Sequence, residues 1–391
     1  MQAIGTRVKL ILKRNLLCLS LVLIFFSCLP PQNRGVRHPL KGDIDANRIR
    51  VLVIKTKSPV SIGSNQKFVI REKESSKLIH EFNGRTISFS PDKVTGPLVV
   101  NSWDSPISVN GMEFNGDMEL YNVLGSIYVI NVVLMRDYLM SVVPGEIPAR
   151  WDIEALKAQA VASRTYAYYH IIKNKSSKLY DLDSTTSFQV YKGVSSLNPV
   201  TNGAVAQTSG EIVSHKGIPI LAYFHSTCGG KTADDSDIWT GIDEPYLRSV
   251  SCSFCKESPH YEWEARLSLS GIRESLEKNN HHLGNVKSIS FRIKSGRVAE
   301  VMVRHTQGLC NLTGNQFRLL FSTDQVKSTF FHSKSSGKEL LLSGRGWGHG
   351  VGLCQWGAKG MAENGKAYKY ILQYYYRGGR IEKVKFNSML N

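Results

Sequence analysis

The sequence lacks the features of a membrane-embedded or fibrous protein. Its one notable apolar run, residues 16–26, is shorter than the ~20 residues that a membrane-spanning helix needs. A regular glycine period and sustained heptads are absent, which excludes collagen-like and coiled-coil structures. What remains is an ordinary globular composition, with 42% hydrophobic residues among 391. Such a chain can bury the cores of one large or two medium domains.

Acidic residues are few compared with basic ones. The chain has 32 Asp and Glu against 49 Lys and Arg, a formal net charge of +17. Such an excess predicts a polyanionic partner, which is nucleic acid, an anionic membrane face or acidic cell-wall polymer. Charge alone does not choose among these partners.

The N-terminus predicts export. A basic segment precedes the apolar run, which ends in Phe-Ser-Cys at residues 26–28. This layout is typical of a secretory signal peptide over residues 1–28. A small residue directly before Cys28 favours a lipoprotein that is cleaved and lipidated there, with a plain signal peptide or an uncleaved anchor as alternatives. Export argues against nucleic acid as the partner and for the cell envelope, facing the periplasm or the outside.

The first part of the exported chain predicts β-structure. Residues 29–45 are polar with three prolines, which indicates a linker. Residues 46–104 form a β-rich N-terminal region, because short β-branched runs such as residues 50–54 alternate with Gly, Asn, Ser and Pro. The same pattern continues to about residue 134.

From residue 136 the pattern becomes helical and then mixed. Residues 136–142 predict a short helix, and Asp152 is placed to cap a longer one that reaches about Lys173. Residues 260–335 predict an inserted subdomain. The expected fold class is α+β, with the β-rich region leading into a mixed α/β core that carries this small α+β insertion.

Inside the insertion we expect a helix near residues 267–278 and strands near residues 286–293 and 299–305. A glycine-rich loop at 344–352 and two helical stretches close the chain. Glycines that alternate so densely let the backbone approach a ligand closely. The loop matches no phosphate-binding motif.

The cysteines indicate a metal site. Two of the seven fall in the signal peptide, and His-x-x-Cys followed by Cys-x-x-Cys has the donor types and spacing of tetrahedral zinc. The candidate ligands are His225, Cys228, Cys252 and Cys255, with His260 as a substitute. A disulfide, favoured by an oxidising exterior, and free thiols are the alternatives. Cys310 and Cys354 are expected to be small core residues.

Glu146 is the candidate acid. It lies between Pro-Gly and Ile-Pro, in an apolar turn directly before the long helix. A carboxyl flanked by valine and isoleucine loses hydration on burial, which raises its pKa as a general acid near neutral pH requires. The alternative is a surface or capping carboxylate.

Five segments, in order along the chain, resemble the stage II sporulation protein D family, which also contains the amidase-enhancer proteins. They are residues 138–169 (YLMSVVPGEIPARWDIEALKAQAVASRTYAYY), 183–193 (DSTTSFQVYKG), 222–232 (AYFHSTCGGKT), 246–250 (YLRSV) and 344–358 (GRGWGHGVGLCQWGA). The resemblance covers about residues 105–385 and implies that this range is the catalytic domain. The first and last segments are its most specific part.

The resemblance implies an enzyme, because members of this family are lytic transglycosylases that act on peptidoglycan strands without stem peptides. Glu146 occupies the position of their catalytic glutamate. Its acid form protonates the oxygen between N-acetylmuramic acid and N-acetylglucosamine, and its base form deprotonates the muramoyl 6-hydroxyl, which closes a 1,6-anhydro ring. No water attacks, so a second carboxylate is not required. Glu154 is expected to face solvent.

Other side chains on these segments are candidate substrate ligands, namely Arg164, Gln189, Tyr191, His349 and Gln355. Arg164 is suited to hold the muramic carboxylate or Glu146 itself, or else a structural ion pair. Gln189 and Tyr191 are suited to bond or stack on sugar, with strand packing as the alternative. His349 lines the groove or is structural.

The zinc candidates also lie on these segments. Some family members carry zinc held by His and Cys near the active site, so the resemblance implies a structural zinc that positions loops beside Glu146. A zinc protease is not supported, because His-Glu-x-x-His is absent.

Two functions follow from these sequence features. The first is an exported transglycosylase whose partners are peptidoglycan strands, and the complete Val-Val-Pro-Gly-Glu-Ile-Pro segment favours it. The second is a non-catalytic wall-binding activator of an N-acetylmuramoyl-L-alanine amidase, with that amidase as its partner. If the chain were not exported, a nucleic-acid-binding protein would again be a candidate.

Overall fold

The computed structural model describes residues 47–174, 179–185 and 188–384. The predicted signal peptide, the lipidation site Cys28 and the 29–45 linker lie outside these residues. Within the described ranges, no helix combines the length and apolar character needed to cross a bilayer.

The described residues form both strands and helices. The strands are β1 (Arg48–Thr56), β2 (Val60–Glu72), β3 (Leu78–Phe89), β4 (Leu98–Ser102), β5 (Ile107–Val109), β6 (Met112–Phe114), β7 (Asp117–Val123), β8 (Ser126–Leu134), β9 (Leu182–Asp183), β10 (Glu211–His215), β11 (Ile218–Pro219), β12 (Phe224–His225), β13 (Glu262–Ser268), β14 (Val286–Lys294), β15 (Arg297–His305), β16 (Gly308–Thr313), β17 (Phe331–Ser336), β18 (Glu339–Arg345), β19 (Leu353–Cys354) and β20 (Arg380–Lys383). The helices are α1 (Met135–Glu146), α2 (Ile153–Asn174), α3 (Pro199–Gln207), α4 (Asp235–Ile238), α5 (Leu269–Lys278), α6 (Gly314–Leu319), α7 (Gln355–Glu363) and α8 (Tyr368–Tyr375).

The N-terminal half of the fold is one nine-stranded sheet. Its order is β6-β5-β2-β4-β7-β8-β1-β9, with β3 added beside β2. The pairs are antiparallel except for the short parallel contact between β1 and β9. Apolar residues such as Val51 and Val129 are completely buried, because alternate positions of each strand face the core. The predicted β-structure of this region is confirmed.

Helix α2 lies at the centre of the second half. It is buried along most of its length and contacts α1, α3, α7, α8 and β10. Its alanines, among them Ala158 and Ala162, let these neighbours approach closely because they add little volume. The predicted cap is confirmed, since Asp152 Oδ1 accepts from the Glu154 backbone N–H at 2.8 Å.

Helix α1 is longer than the sequence predicted. We expected a helix to residue 142 followed by a rigid turn, but the helix runs through Pro144 and Gly145 and ends at Glu146. Proline in a helix interior removes one backbone hydrogen bond, so propensity argues for an early end. Burial of Tyr138, Leu139 and their neighbours in the core outweighs that loss.

Residues 262–345 contain a second hydrophobic core. It packs two three-stranded sheets, β13-β18-β17 and β14-β15-β16, against α5 and α6. Helix α5 and strands β14 and β15 were predicted close to their observed bounds. Strand β18 ends the second core and leads directly into the glycine-rich loop. The fold is thus mixed α+β, as the sequence predicted.

Candidate active site and cysteine cluster

Glu146 is held at the C-terminal end of α1. Its side chain is half-buried, and Oε1 accepts from the Val190 backbone N–H at 2.9 Å. Gly145 allows this contact, because a Cβ at residue 145 would lie only 3.0 Å from the Val190 carbonyl oxygen. The Pro-Gly-Glu order therefore brings the chain near residue 190 against the carboxyl.

Burial raises the pKa of Glu146 to about 7. The hydrogen bonds from the Val190 N–H and the Gln355 side-chain amide act in the opposite direction, but both donors are neutral. The carboxyl also lies at the negative end of the α1 dipole, which disfavours its ionised form. Such a group exists in both protonation states near neutral pH, as general acid and base work requires.

Gln355 belongs to a polar network behind Glu146. It is only 8% exposed, and its Nε2 donates to Gln159 Oε1 at 3.3 Å. Gln159 Nε2 in turn donates to Ser163 Oγ at 3.0 Å. The Gln355 amide also lies close enough to the Glu146 carboxyl to lower its pKa. Gln159 was missed, because a buried glutamine within an alanine-rich helix carries no motif.

Gln189 and Tyr191 lie beneath Glu146, inside the protein. Gln189 is 0% exposed and accepts from the Tyr138 hydroxyl at 2.8 Å. The Tyr191 hydroxyl donates to Asn131 Oδ1 at 2.6 Å, and its ring contacts Tyr138. Their predicted role as sugar ligands is corrected: both are buried supports of the segment that carries Val190.

Arg164 is also internal. The residue is 3% exposed, and its guanidinium donates to the Val205 and Glu211 carbonyl oxygens at 3.2 and 3.0 Å. These bonds join α2 to α3 and β10. The predicted contact with a substrate carboxylate or with Glu146 is therefore corrected, because all described bonds of Arg164 stay within the core.

His349 packs in a group of aromatic rings. Its Nε2 donates to the Phe224 carbonyl at 2.9 Å, and its Nδ1 accepts from the Val351 N–H at 3.1 Å. Burial holds the pKa of His349 well below its usual range, so the ring is neutral. Both ring nitrogens are used by backbone groups, which leaves the ring face for packing.

Partly exposed aromatic residues connect His349 with the Glu146 region. Trp239 lies 5.0 Å from the His349 ring and stacks on Tyr223 at 4.6 Å. Tyr223 also contacts Tyr166 at 5.9 Å. Burial raises the pKa of Tyr166, and the charge of Glu146 contributes to the same shift. Tyr223 and Trp239 were not predicted as site residues, because isolated aromatic residues resemble core positions.

The glycines of residues 346–352 serve the fold. Gly346, Gly348, Gly350 and Gly352 have φ between +70° and +107°, the region that favours glycine. A Cβ on Gly348 would lie 2.9 Å from His225 Cβ. The sequence predicted that a ligand approaches the backbone at these glycines. In the structure, other parts of the same chain lie against them instead.

Four cysteines form a buried cluster near this loop. Their Sγ atoms lie within 4.8 Å of one another, and the members are Cys228, Cys252, Cys255 and Cys354. Cys228 and Cys255 are free thiols with their sulfurs 3.5 Å apart. The structure groups Cys354, and not the predicted ligand His225, with the other three cysteines, and Cys354 is also buried as predicted.

Strand pairing explains why Cys354 joins the cluster. Strands β12 and β19 pair in parallel and place His225 opposite Cys354, and Cys228 follows three residues later. A second contact, from the Cys252 N–H to the Gly230 carbonyl at 2.9 Å, brings in the Cys-x-x-Cys loop. His225 instead turns its Nδ1 to the Val351 carbonyl at 3.0 Å. His260 lies elsewhere, against the Trp347 ring at 4.2 Å.

The cluster fits a tetrahedral zinc ion. Zinc–sulfur bonds of ~2.3 Å place tetrahedral sulfurs about 3.8 Å apart, close to the spacing found. Donors that stabilise thiolates are also present. Cys354 Sγ accepts from the N–H of Cys228 and of Gly357, each at 3.3 Å, and Cys252 Sγ contacts the Tyr375 hydroxyl at 3.1 Å. Without a metal, hydrogen bonds from Cys228 lower the pKa of Cys255, and burial raises that of Cys354.

Comparison with known proteins identifies the family. A family model described as stage II sporulation protein matches residues 124–215, and one described as a domain of unknown function matches residues 253–352. The stage II sporulation protein D of Bacillus amyloliquefaciens is 32% identical over 265 residues, which cover 64% of this chain and 74% of that protein. The chain belongs to the stage II sporulation protein D family.

Two further relatives extend this comparison. An uncharacterised protein of Brachyspira hyodysenteriae is 33% identical over 355 residues, covering 88% of this chain and 94% of that protein. The amidase enhancer of Bacillus subtilis is 31% identical over 290 residues, 61% of this chain but only 39% of that protein.

Proposed function

We propose that this chain is an exported lytic transglycosylase of peptidoglycan, with Glu146 as both acid and base. The observation that carries the proposal is the state of Glu146, a half-buried carboxyl whose pKa is raised to about 7 by burial. Membership of the stage II sporulation protein D family supports it. The substrate is a glycan strand without stem peptides.

In the proposed reaction, protonated Glu146 gives its proton to the glycosidic oxygen as the bond from the muramoyl anomeric carbon breaks. The resulting carboxylate takes the proton of the muramoyl 6-hydroxyl, whose oxygen closes the 1,6-anhydro ring. The neutral donors at Val190 and Gln355 orient the carboxyl without holding it ionised. Tyr223 and Trp239 offer aromatic faces against which sugar rings pack.

Digestion of purified denuded strands followed by mass spectrometry tests the proposal. We expect products that end in 1,6-anhydro-muramic acid. The cleavage rate of Glu146→Gln should be at least about 100-fold lower than that of wild type. Glu339→Gln is the matched control, because Glu339 is an exposed glutamate at the start of β18. Ordinary reducing ends would show hydrolysis instead, and an active Glu146→Gln variant would exclude Glu146 from the reaction.

We also propose that the four-cysteine cluster holds zinc. A bound zinc ion would act as a structural cross-link. Cys228 and Cys354 would then tie β12 and β19 to the loop that carries Cys252 and Cys255. The backbone donors at Cys228 and Gly357 would keep the Cys354 sulfur ionised and oriented.

We further propose that the chain is an envelope protein anchored by lipid at Cys28. The basic segment and short apolar run before Cys28 support this location. Labelling cells with a fatty-acid analogue should mark the wild-type chain and not Cys28→Ala. Cys18→Ala is the control, and label retained by Cys28→Ala would contradict lipidation at that residue.

The match to the amidase enhancer favours a second candidate function, activation of a cell-wall amidase. The excess of basic over acidic residues, which remains after residues 1–27 are removed, would then promote adsorption to anionic wall. Adding wild type or Glu146→Gln to a purified N-acetylmuramoyl-L-alanine amidase separates the two functions. Equal stimulation by both chains, with no 1,6-anhydro products, would support the activator and reject the enzyme.

A further inference from the structure

Arg297 connects the second hydrophobic core to the cysteine cluster. It is the first residue of β15 and is only 4% exposed. Its Nη2 donates to the Cys228 carbonyl at 2.9 Å and to the Lys231 carbonyl at 2.8 Å. A residue of the insertion's own sheet thus bonds directly to the loop that carries a cluster cysteine.

The surroundings of this guanidinium are closely packed. The Phe330 ring lies 4.9 Å from Cζ, in a cation–π contact. Gly350 covers another side, and a Cβ there would lie 2.8 Å from Cζ. Nη1 is buried and has no hydrogen-bond partner among the described residues. Burying an arginine in this way is costly unless a negative charge compensates it.

Among the described contacts of the Arg297 guanidinium, no carboxylate supplies this negative charge. The guanidinium donates to two neutral carbonyl groups, and the ionisable groups that act on it are Cys228, Cys354 and Arg318. A zinc ion bound by four thiolates carries a net charge of −2, which is equally costly to bury alone. The buried cation and the buried anionic centre therefore compensate each other.

We propose that Arg297 is the counter-ion of the metal-loaded cysteine cluster and a positioning residue for the Cys228 loop. This inference rests on the proposed zinc site and is independent of the proposed transglycosylase reaction. It gives the second core a defined role, because β15 supplies a buried positive charge beside the Cys228 loop.

Zinc affinity of the purified mature chain, measured by competition with a chromogenic chelator, tests the inference. We expect Arg297→Gln to bind zinc about 10- to 100-fold more weakly, as is usual when outer-shell partners of a metal are removed. Arg297→Lys keeps the charge and should stay within about fivefold of wild type. Arg304→Gln is the matched control, since Arg304 is an exposed arginine on the same strand, and its affinity should not change.

Cobalt substitution gives a second readout. Thiolate-to-cobalt absorption bands should be unchanged in Arg297→Lys and altered or weakened in Arg297→Gln. Wild-type affinity in Arg297→Gln would overturn the inference, as would equal weakening in both variants. If Arg297→Gln does not fold, Arg297→Lys decides, and a loss beyond about fivefold rejects the counter-ion role. A wild-type chain that binds neither zinc nor cobalt would instead reject the metal site itself, and the inference with it.

Discussion

The Val190 backbone N–H donates to Glu146 Oε1 at 2.9 Å, and Gly145, which has no side chain, leaves room for residue 190 to come this close. This contact links two segments that lie 44 residues apart in the chain. It orients the carboxyl without supplying a positive charge, so burial decides its protonation. The same geometry determines how activity and stability should respond to pH.

Activity should depend on a group with a pKa of about 7. Because the proposed first step needs protonated Glu146, cleavage of denuded strands should fall as pH rises through 7. Gln355→Met removes a donor that lowers this pKa, so its falling limb should move to higher pH. Initial rates from pH 5 to 9 measure the falling limb of wild type and of Gln355→Met. A limb that does not move would show that Gln355 leaves the carboxyl unaffected.

Stability should also respond to the ionisation of Glu146. Burial raises its pKa from an ordinary 4.5 to about 7, so its contribution is fully present below pH 4.5 and is lost as pH rises through 7. Glu146→Gln cannot ionise and should therefore lose less stability than wild type between pH 4.5 and 8. Urea unfolding across this range measures the difference. Parallel pH profiles for the two chains would contradict the raised pKa.

Zinc content should separate Cys354 from Cys310. Cys354 belongs to the buried cluster, whereas Cys310 lies on β16, 3.9 Å from His281 Nδ1. Cys354→Ser should lose most of its zinc, and Cys310→Ser should keep it, as measured by elemental analysis. His225→Gln should also keep zinc. Loss of zinc in His225→Gln together with retention in Cys354→Ser would restore the originally predicted ligand set.

Arg164 should matter for stability. Arg164→Met removes the hydrogen bonds from the guanidinium to the Val205 and Glu211 carbonyl oxygens, which should cost roughly 2–4 kcal/mol in the free energy of unfolding. Urea unfolding measures this loss. The KM for glycan strands should stay within about twofold of wild type, because the guanidinium does not reach the surface. Arg136→Met, at an exposed arginine, is the control.

Local sequence patterns were sufficient for most of the secondary structure. Helix α2 and its Asp152 cap follow from apolar periodicity and capping chemistry, which depend on neighbours in the chain. The raised pKa of Glu146 was also predicted, because its flanking apolar residues already indicated burial. The extension of α1 through Pro144 was not, since its stabilisation comes from distant core contacts.

Tertiary structure alone decided which side chains share the site. Arg164, Gln189 and Tyr191 carry suitable chemistry, but the core encloses them, and burial depends on elements far away in the sequence. Cys354 joins the cluster only because β12 and β19 pair in parallel, a contact that joins residues more than 120 positions apart. Motif spacing describes neighbours along the chain, whereas ligand sets and counter-ions such as Arg297 depend on which strands meet in space.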